Sequence, residues 1–235
     1  DGEILTLSYM LAATRPHTIF RQTYNNMVNF PVSYTSYDQN TRERFTEHTF
    51  QIDYVRPFGK HHKIESGTKY ILRYNNSTSL MDYQGTTPDM ESKFKHNAQV
   101  AAAYLSYIFT AGKWAARAGL RYEFTRMKAS YPDGSNADYH ANLNDWVPSA
   151  SLQYKISDGQ TLKFSYNTSI NRPGIGYLNP AIISTPTAVS FGNANLGSSR
   201  NQKLQLVYML VTSKLTLQLS PYYSFTNNGI GRILY

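Results

Sequence analysis

The chain has no cysteine among its 235 residues, so disulfide staples, thiolate metal centres and cysteine nucleophiles are excluded together. It also lacks any long apolar run. The longest, Val100 to Leu105 and Leu206 to Val211, are far short of the ~20 residues a membrane-spanning helix needs. Charge is scarce too: charged residues make up 16%, against roughly 25% in ordinary soluble domains. No block of five or six like charges forms a nucleic-acid-binding tail. Asp1 to Thr6 carries acid at the front with no apolar stretch behind it, so no export signal is present, and an exported protein would have lost its leader.

What is abundant is tyrosine, 20 residues, with 11 phenylalanines beside it. Such side chains suit pleated, half-buried surfaces. The net charge of +8 is spread along the chain, which suits a basic lumen or an anionic lipid surface better than a nucleic-acid arm. A mean hydropathy of -0.47 does not speak against a membrane wall, because a barrel strand shows lipid only every second residue and averaging conceals its apolar face.

Alternation with a period of two is the primary signal. From Lys113 to Arg126 one parity reads Trp114, Ala116, Ala118, Leu120, Tyr122 and Phe124, while the other holds Lys113, Arg117, Arg121, Glu123 and Thr125. Leu162, Phe164, Tyr166 and Ile170 likewise oppose Lys163, Ser165, Asn167 and Ser169, and Ile64, Tyr70, Leu72 and Tyr74 oppose Glu65, Lys69 and Arg73. About ten strands are predicted, at 3-12, 18-29, 45-57, 63-75, 94-109, 113-128, 147-156, 161-172, 202-211 and 214-227. Most reach the roughly 9 to 11 residues that cross a bilayer at a tilt.

The connections alternate in length. Tight turns are expected at Thr14 to Pro16, Gly59 to His62, Ala111-Gly112, Asp158-Gly159 and Thr212-Ser213, the Asp-Gly pair because glycine accepts positive φ. Long polar connections are expected at 30-44, 76-93, 129-146 and 173-201. Short turns on one side and long loops on the other imply an all-β, antiparallel up-and-down transmembrane β-barrel segment, with the short turns periplasmic. That order predicts both chain ends at the extracellular edge, so residues 1-235 are expected to be one partial barrel, an internal section of a larger one. Tyr235 could otherwise imitate an assembly signal at a barrel's end.

Three stretches resemble the TonB-dependent-receptor-like outer-membrane β-barrel family: Phe50-Gln51-Ile52-Asp53-Tyr54 running to Pro57-Phe58-Gly59-Lys60, Ala118 to Thr125, and Asn171-Arg172-Pro173 followed by Leu178-Asn179-Pro180 and Gly192-Asn193. The resemblance implies a barrel of about 22 strands, a plug in its lumen and nutrient import energised by TonB, so outer-membrane lipid, the plug and TonB of the full-length protein, and a surface lipoprotein are the implied partners. No plug, TonB box or closing strands lie in this chain, and Leu196-Gly197-Ser198 stands where the family would carry leucine, a basic residue and proline.

The polar-parity residues Glu65, Lys69, Arg73, Arg117, Arg121, Glu123 and Lys163 are candidate lumen-facing contacts for a ligand or plug, the alternative being charges paired across strands in a hydrated interior. Arg172, Pro173, Leu178, Asn179, Pro180, Gly192 and Asn193 form a candidate extracellular loop motif that touches substrate or closes the mouth, or else serves turn geometry alone. Trp114, Trp146, Phe58, Tyr131 and Tyr154 are expected in interfacial girdles. His61-His62 point apart in a turn, so neither metal nor cofactor is expected. No Ser-His-acid set shares one face, so no enzyme activity is expected. Two other readings stay open on sequence: a small self-closed barrel with a structural or adhesive role, and a soluble basic β-sheet binding protein.

Overall fold

The alternating segments form a single antiparallel ladder. The computed structural model describes residues 2–29, 32–180, 183–185 and 188–233. Its strands are β1 (Ile4–Thr14), β2 (His17–Thr23), β3 (Tyr34–Phe58), β4 (His62–Gly85), β5 (Met90–Ala111), β6 (Trp114–Ser130), β7 (Tyr139–Ser157), β8 (Gln160–Asn171), β9 (Ile183–Thr185), β10 (Ala188–Ser190), β11 (Ser199–Val211), β12 (Thr216–Leu219) and β13 (Tyr222–Asn227), with one helical turn, α1 (Ile175–Leu178). Eleven strands share one open antiparallel sheet, ordered β1-β3-β4-β5-β6-β7-β8-β11-β12 with β2 also on β3 and β13 also on β11, and β9 pairs with β10 apart from it.

Two of the breaks between strands are only missing donors. β1 and β2 both pair with β3, and Thr14↔Phe45 and His17↔Arg42 continue one register across Arg15-Pro16. Pro16 still accepts from the Glu43 N–H at 2.9 Å. The tight turn expected at Thr14 to Pro16 is therefore absent: proline cannot donate, so one ladder bond is lost while the strand continues. Pro221 does the same between β12 and β13, both of which pair with β11, its carbonyl accepting from Leu206 at 3.0 Å. Eleven strands thus make nine passes.

The pass count corrects the topology. Ile4 lies opposite Val55, beside the tight turn at Gly59, so the first pass starts at the short-turn edge, not the extracellular one. The last pass ends with Asn227 opposite Arg200, at the edge of the long connections. Asp1 and Tyr235 lie outside the described residues.

The long connections also differ from expectation in build. Most of 30-44 and 76-93 is strand: β3 has 25 residues and β4 24, and at ~3.3 Å per residue such strands extend about 80 Å, well beyond a bilayer. β6 and β7 likewise take both ends of 129-146. Polar sequences such as Asn75-Asn76-Ser77-Thr78-Ser79 lack an apolar face and read as loop, yet the ladder needs only their backbones. Conversely, the strand expected at 18-29 stops at Thr23, and Asn26 and Asn29 beyond it take positive φ of 53° and 54°.

The upper parts of these strands carry inverted chemistry on an unbroken pleat. On one face of β5 and β6, Ala101, Ala103, Leu105 and Tyr107 stand opposite Phe124, Tyr122, Leu120 and Ala118. Two residues higher on the same face, Gln99 meets Arg126, and then Asn97 meets Lys128. On the other face Ala98 and Met127, with Leu143, become a buried cluster. The switch marks where lipid ends. It falls between Phe124 and Arg126 on β6 and between Trp146 and Asn144 on β7, although Phe124 and Asn144 are register partners. The boundary thus steps down from strand to strand, as tilted strands require.

Aromatics mark both rims of this band. Trp114 packs on Tyr154 with ring centroids 4.5 Å apart, and Phe58 stacks on His62, at the short-turn rim. Tyr122 and Trp146, 4.7 Å apart, stand at the other. Tyr131 is not in a girdle; it lies in the β6–β7 connection against Phe94. Gly59 and Gly112 take positive φ in their turns. Gly159 does not, and serves by close approach: a Cβ there would stand 2.3 Å from the Val211 carbonyl oxygen.

Arginine at Leu120, in the middle of the apolar band, is expected to destabilise the folded barrel by about 2–4 kcal/mol, whereas arginine at Gln99 costs about 0–1 kcal/mol. Denaturant titration of the protein in lipid bilayers measures both.

Candidate functional site

The inner face is the one on which the segment following β8 packs. Glu65, Lys69, Arg73, Arg117, Arg121, Glu123 and Lys163 all project from it, since register partners share a face. Five of the seven are tied into ion pairs, three of them between strands. Glu47 holds Arg73 at 2.5 Å, and Glu65 is shared by Lys63 and Arg117, each at 2.8 Å. Lys69 and Lys163 have no ion pair among the described residues. Asp53 accepts from Gln51 at 2.7 Å and from the Tyr104 hydroxyl at 2.6 Å. Tyr104 reaches it across β4 at Gly67, where a Cβ would come 2.6 Å from the ring.

Nearer the extracellular rim, Glu123 and Asp145 are register partners on adjacent strands, two buried carboxylates side by side. Repulsion between them is offset by Arg121, 2.5 Å from Glu123, and by Arg172, which pairs with Glu123 and lies 3.9 Å from Asp145. The Ser198 hydroxyl completes the group by donating to Asp145 at 2.7 Å. Ion pairs this dry are strongly destabilising to break, because the partner left behind is an uncompensated charge.

Pro148 helps Arg172 reach these carboxylates. The β7–β8 ladder runs no higher than Ser149↔Asn167, next to that proline, whereas β8 continues to Asn171 against β11. β7 therefore has a free upper edge, and the chain leaving β8 turns into the opening. Pro173 is fully buried, and α1 delivers Leu178, 0% exposed, onto Ala98, Met127 and Leu143. A cleft of about 510 Å³ remains between upper β7 and β11, lined by Asn142, Asn144, Arg200 and Gln202 among others.

The spaced motif residues meet in this segment. The Asn179 amide donates to the Tyr131 hydroxyl, while its backbone carbonyl accepts from Gly192 at 2.8 Å and the Tyr177 carbonyl accepts from Asn193 at 2.7 Å. Gly192 is required by proximity: a Cβ there would lie 2.5 Å from the Tyr177 oxygen and 2.6 Å from that of Asn179. The Asn193 side chain accepts from the Asn195 N–H at 2.9 Å. Pro180 is exposed and closes the unit. The described motif residues are thus held together in one inward-folded element.

The neighbouring β6–β7 connection is pinned by Asp133, which accepts from the Lys93 N–H at 2.6 Å and from the N–H and hydroxyl of Ser135. These donors hold its carboxyl down at about 2. His61 and His62 engage the Thr110 carbonyl and the Tyr107 hydroxyl separately. Among the described residues no three His, Asp or Glu side chains gather as for a metal. Asp145 and Ser198 escaped sequence reasoning because both lie in stretches read as loop. Asp53 and Tyr104 carried a usable signal, the inward parity of their strands.

An antiparallel wall with an aromatic-rimmed apolar band outside and a charged network inside defines a transmembrane β-barrel wall. The chain belongs to the Outer membrane protein beta-barrel family, which matches residues 1–235, and its place is the bacterial outer membrane. No curated protein matches the sequence. Among solved structures it is similar to the unliganded ferric citrate transporter FecA, at 11% identity and TM-score 0.69, covering 96% of this chain and 32% of that one. The ferric yersiniabactin uptake receptor FyuA from Yersinia pestis gives 15% and 0.62, covering 94% and 33%. The siderophore receptor PiuA from Acinetobacter baumannii gives 15% and 0.62, covering 95% and 37%. The chain therefore spans about a third of the length of these receptors, and the resemblance seen in the three motif stretches holds at the level of fold.

Alanine at Arg172 should destabilise the protein by about 3–5 kcal/mol, with glutamine at Glu123 in the same background restoring part of the loss; denaturant unfolding and proteolysis of 173–198 report both. The Asp133 contribution has a defined pH window. Its carboxyl titrates lower folded than unfolded, so the stabilisation is complete above the ordinary value of 3.8 and disappears as pH falls from there through about 2. Protease nicking of 131–138 should rise over that window, and Asp133→Asn should give the nicked behaviour already at neutral pH.

Proposed function

We propose that this chain is a section of the barrel wall of a plugged outer-membrane receptor that imports a nutrient with energy relayed by TonB, a transport role and not a catalytic one. The observation that carries the proposal is the inward-folded segment that leaves β8, clamped by Arg172 onto Glu123 and Asp145 beside a row of inward charges. Such a face suits a lumen filled by a polar plug and a ligand passing over it. The two open edges of the sheet also support a larger barrel, because lipid does not tolerate unpaired backbone groups. In this reading Lys69 and Lys163, which have no carboxylate partner among the described residues, face the plug or the ligand, a surface lipoprotein covers the mouth, and outer-membrane lipid surrounds the wall.

The absence of cysteine from this segment makes the proposal testable in cells. In the full-length protein, Lys69→Cys should react slowly with a membrane-impermeant maleimide when TonB is deleted and several-fold faster when TonB is present and energised. Leu120→Cys, facing lipid, should react slowly in both. Equal labelling of Lys69→Cys with and without TonB would overturn the plugged-receptor proposal.

A further inference from the structure

The lipid-facing side of the sheet carries a concentration of positive charge immediately above its apolar band. Arg44 on β3, Lys95 on β5 and Arg126 and Lys128 on β6 project outward there, all exposed, and Arg42 stands next above Arg44. Arg15 joins them across the proline break: the register that passes from Thr14↔Phe45 to His17↔Arg42 places it directly opposite Arg44. Like charges directly opposite on neighbouring strands are destabilising, so this face favours an anion between them.

The local anions do not supply it. Asp38 and Glu91 on the same face stand farther from the lipid and already hold Arg21 and Lys93. Only Lys128 has an acidic partner in the belt, Asp138 at 3.4 Å and exposed. Among the described residues Arg15, Arg42, Arg44, Lys95 and Arg126 have none. Strands lie ~4.8 Å apart and same-face neighbours along a strand ~6.6 Å, so Lys95, Arg126 and Lys128 stand within about one side-chain length of a common point. That spacing suits a phosphate group, with Asn97 and Gln99 between them as donors to adjacent sugar hydroxyls.

We propose that this belt binds the phosphorylated headgroup of an acylated glycolipid of the outer leaflet, with Lys95, Arg126 and Lys128 as one phosphate site and Arg15, Arg42 and Arg44 as a second. The acyl chains of that lipid lie against the apolar rows directly below, Tyr70, Ala101 and Phe124. This site rests on the outer-membrane location and is independent of the transport proposal.

The test uses the full-length protein in zwitterionic nanodiscs, titrated with bisphosphorylated lipid A, its dephosphorylated analogue and phosphatidylglycerol. The wild type should bind the bisphosphorylated lipid about ten- to a hundredfold more tightly than does Lys95→Gln/Arg126→Gln/Lys128→Gln. The dephosphorylated analogue should bind both proteins equally and weakly. Equal binding of bisphosphorylated lipid by wild type and variant would overturn the site, and phosphatidylglycerol binding as tightly as lipid A would overturn its assignment to a glycolipid. Insertion into the nanodisc is scored separately by heat-modifiable gel mobility: if neither protein inserts, the membrane assignment itself fails, which differs from loss of lipid binding by an inserted barrel.

Discussion

The constraint from which the structure follows is that a backbone in lipid must satisfy its own hydrogen bonds. An antiparallel ladder does this with no demand on side-chain identity. That freedom explains two features at once. Pro16 and Pro221 are accommodated inside passes at the loss of one donor each, because their carbonyls still accept from Glu43 and Leu206. The ladder also continues far beyond the bilayer, through sequences with no apolar face.

With the backbone satisfied by pairing, side chains are free to answer the surroundings. The unbroken pleat crosses from lipid into water, and the two faces exchange chemistry as it does so: apolar outward below the switch, charged outward above it, with Ala98, Met127 and Leu143 taking over as a small core inside. This core receives Leu178, and the same region supplies the paired carboxylates that receive Arg172. The inward element is therefore held at both ends of its first turn, by burial at one residue and by charge at the other. The outward cations Arg126 and Lys128 stand directly above the switch.

Close approach recurs as a second organising device. Gly67 lets Tyr104 cross a strand to Asp53, Gly159 lets the β7–β8 turn meet Val211, and Gly192 lets the two halves of the inward element hydrogen-bond. In each case the glycine is chosen for the atom it lacks and not for an unusual backbone angle. Pro148 works by a related omission, standing where the β7–β8 ladder ends and the β7 edge becomes free for the chain that follows β8.

The sequence by itself determined the wall: period-two alternation places Glu65, Lys69, Arg73, Arg117, Arg121, Glu123 and Lys163 on one face and Leu120, Tyr122 and Phe124 on the other, since parity is a local property of an extended chain. It also marked Arg172, Leu178, Asn179 and Gly192 as a set, though not what they do together. Only the tertiary structure decided that Thr14 to Pro16 is a continuing strand, that the first pass begins at the short-turn edge, and that Asp145 and Ser198 join Arg172. Those outcomes depend on which backbone lies alongside which, and a proline, a polar run or a lone aspartate reads the same in a loop as in a ladder until its partner is in place.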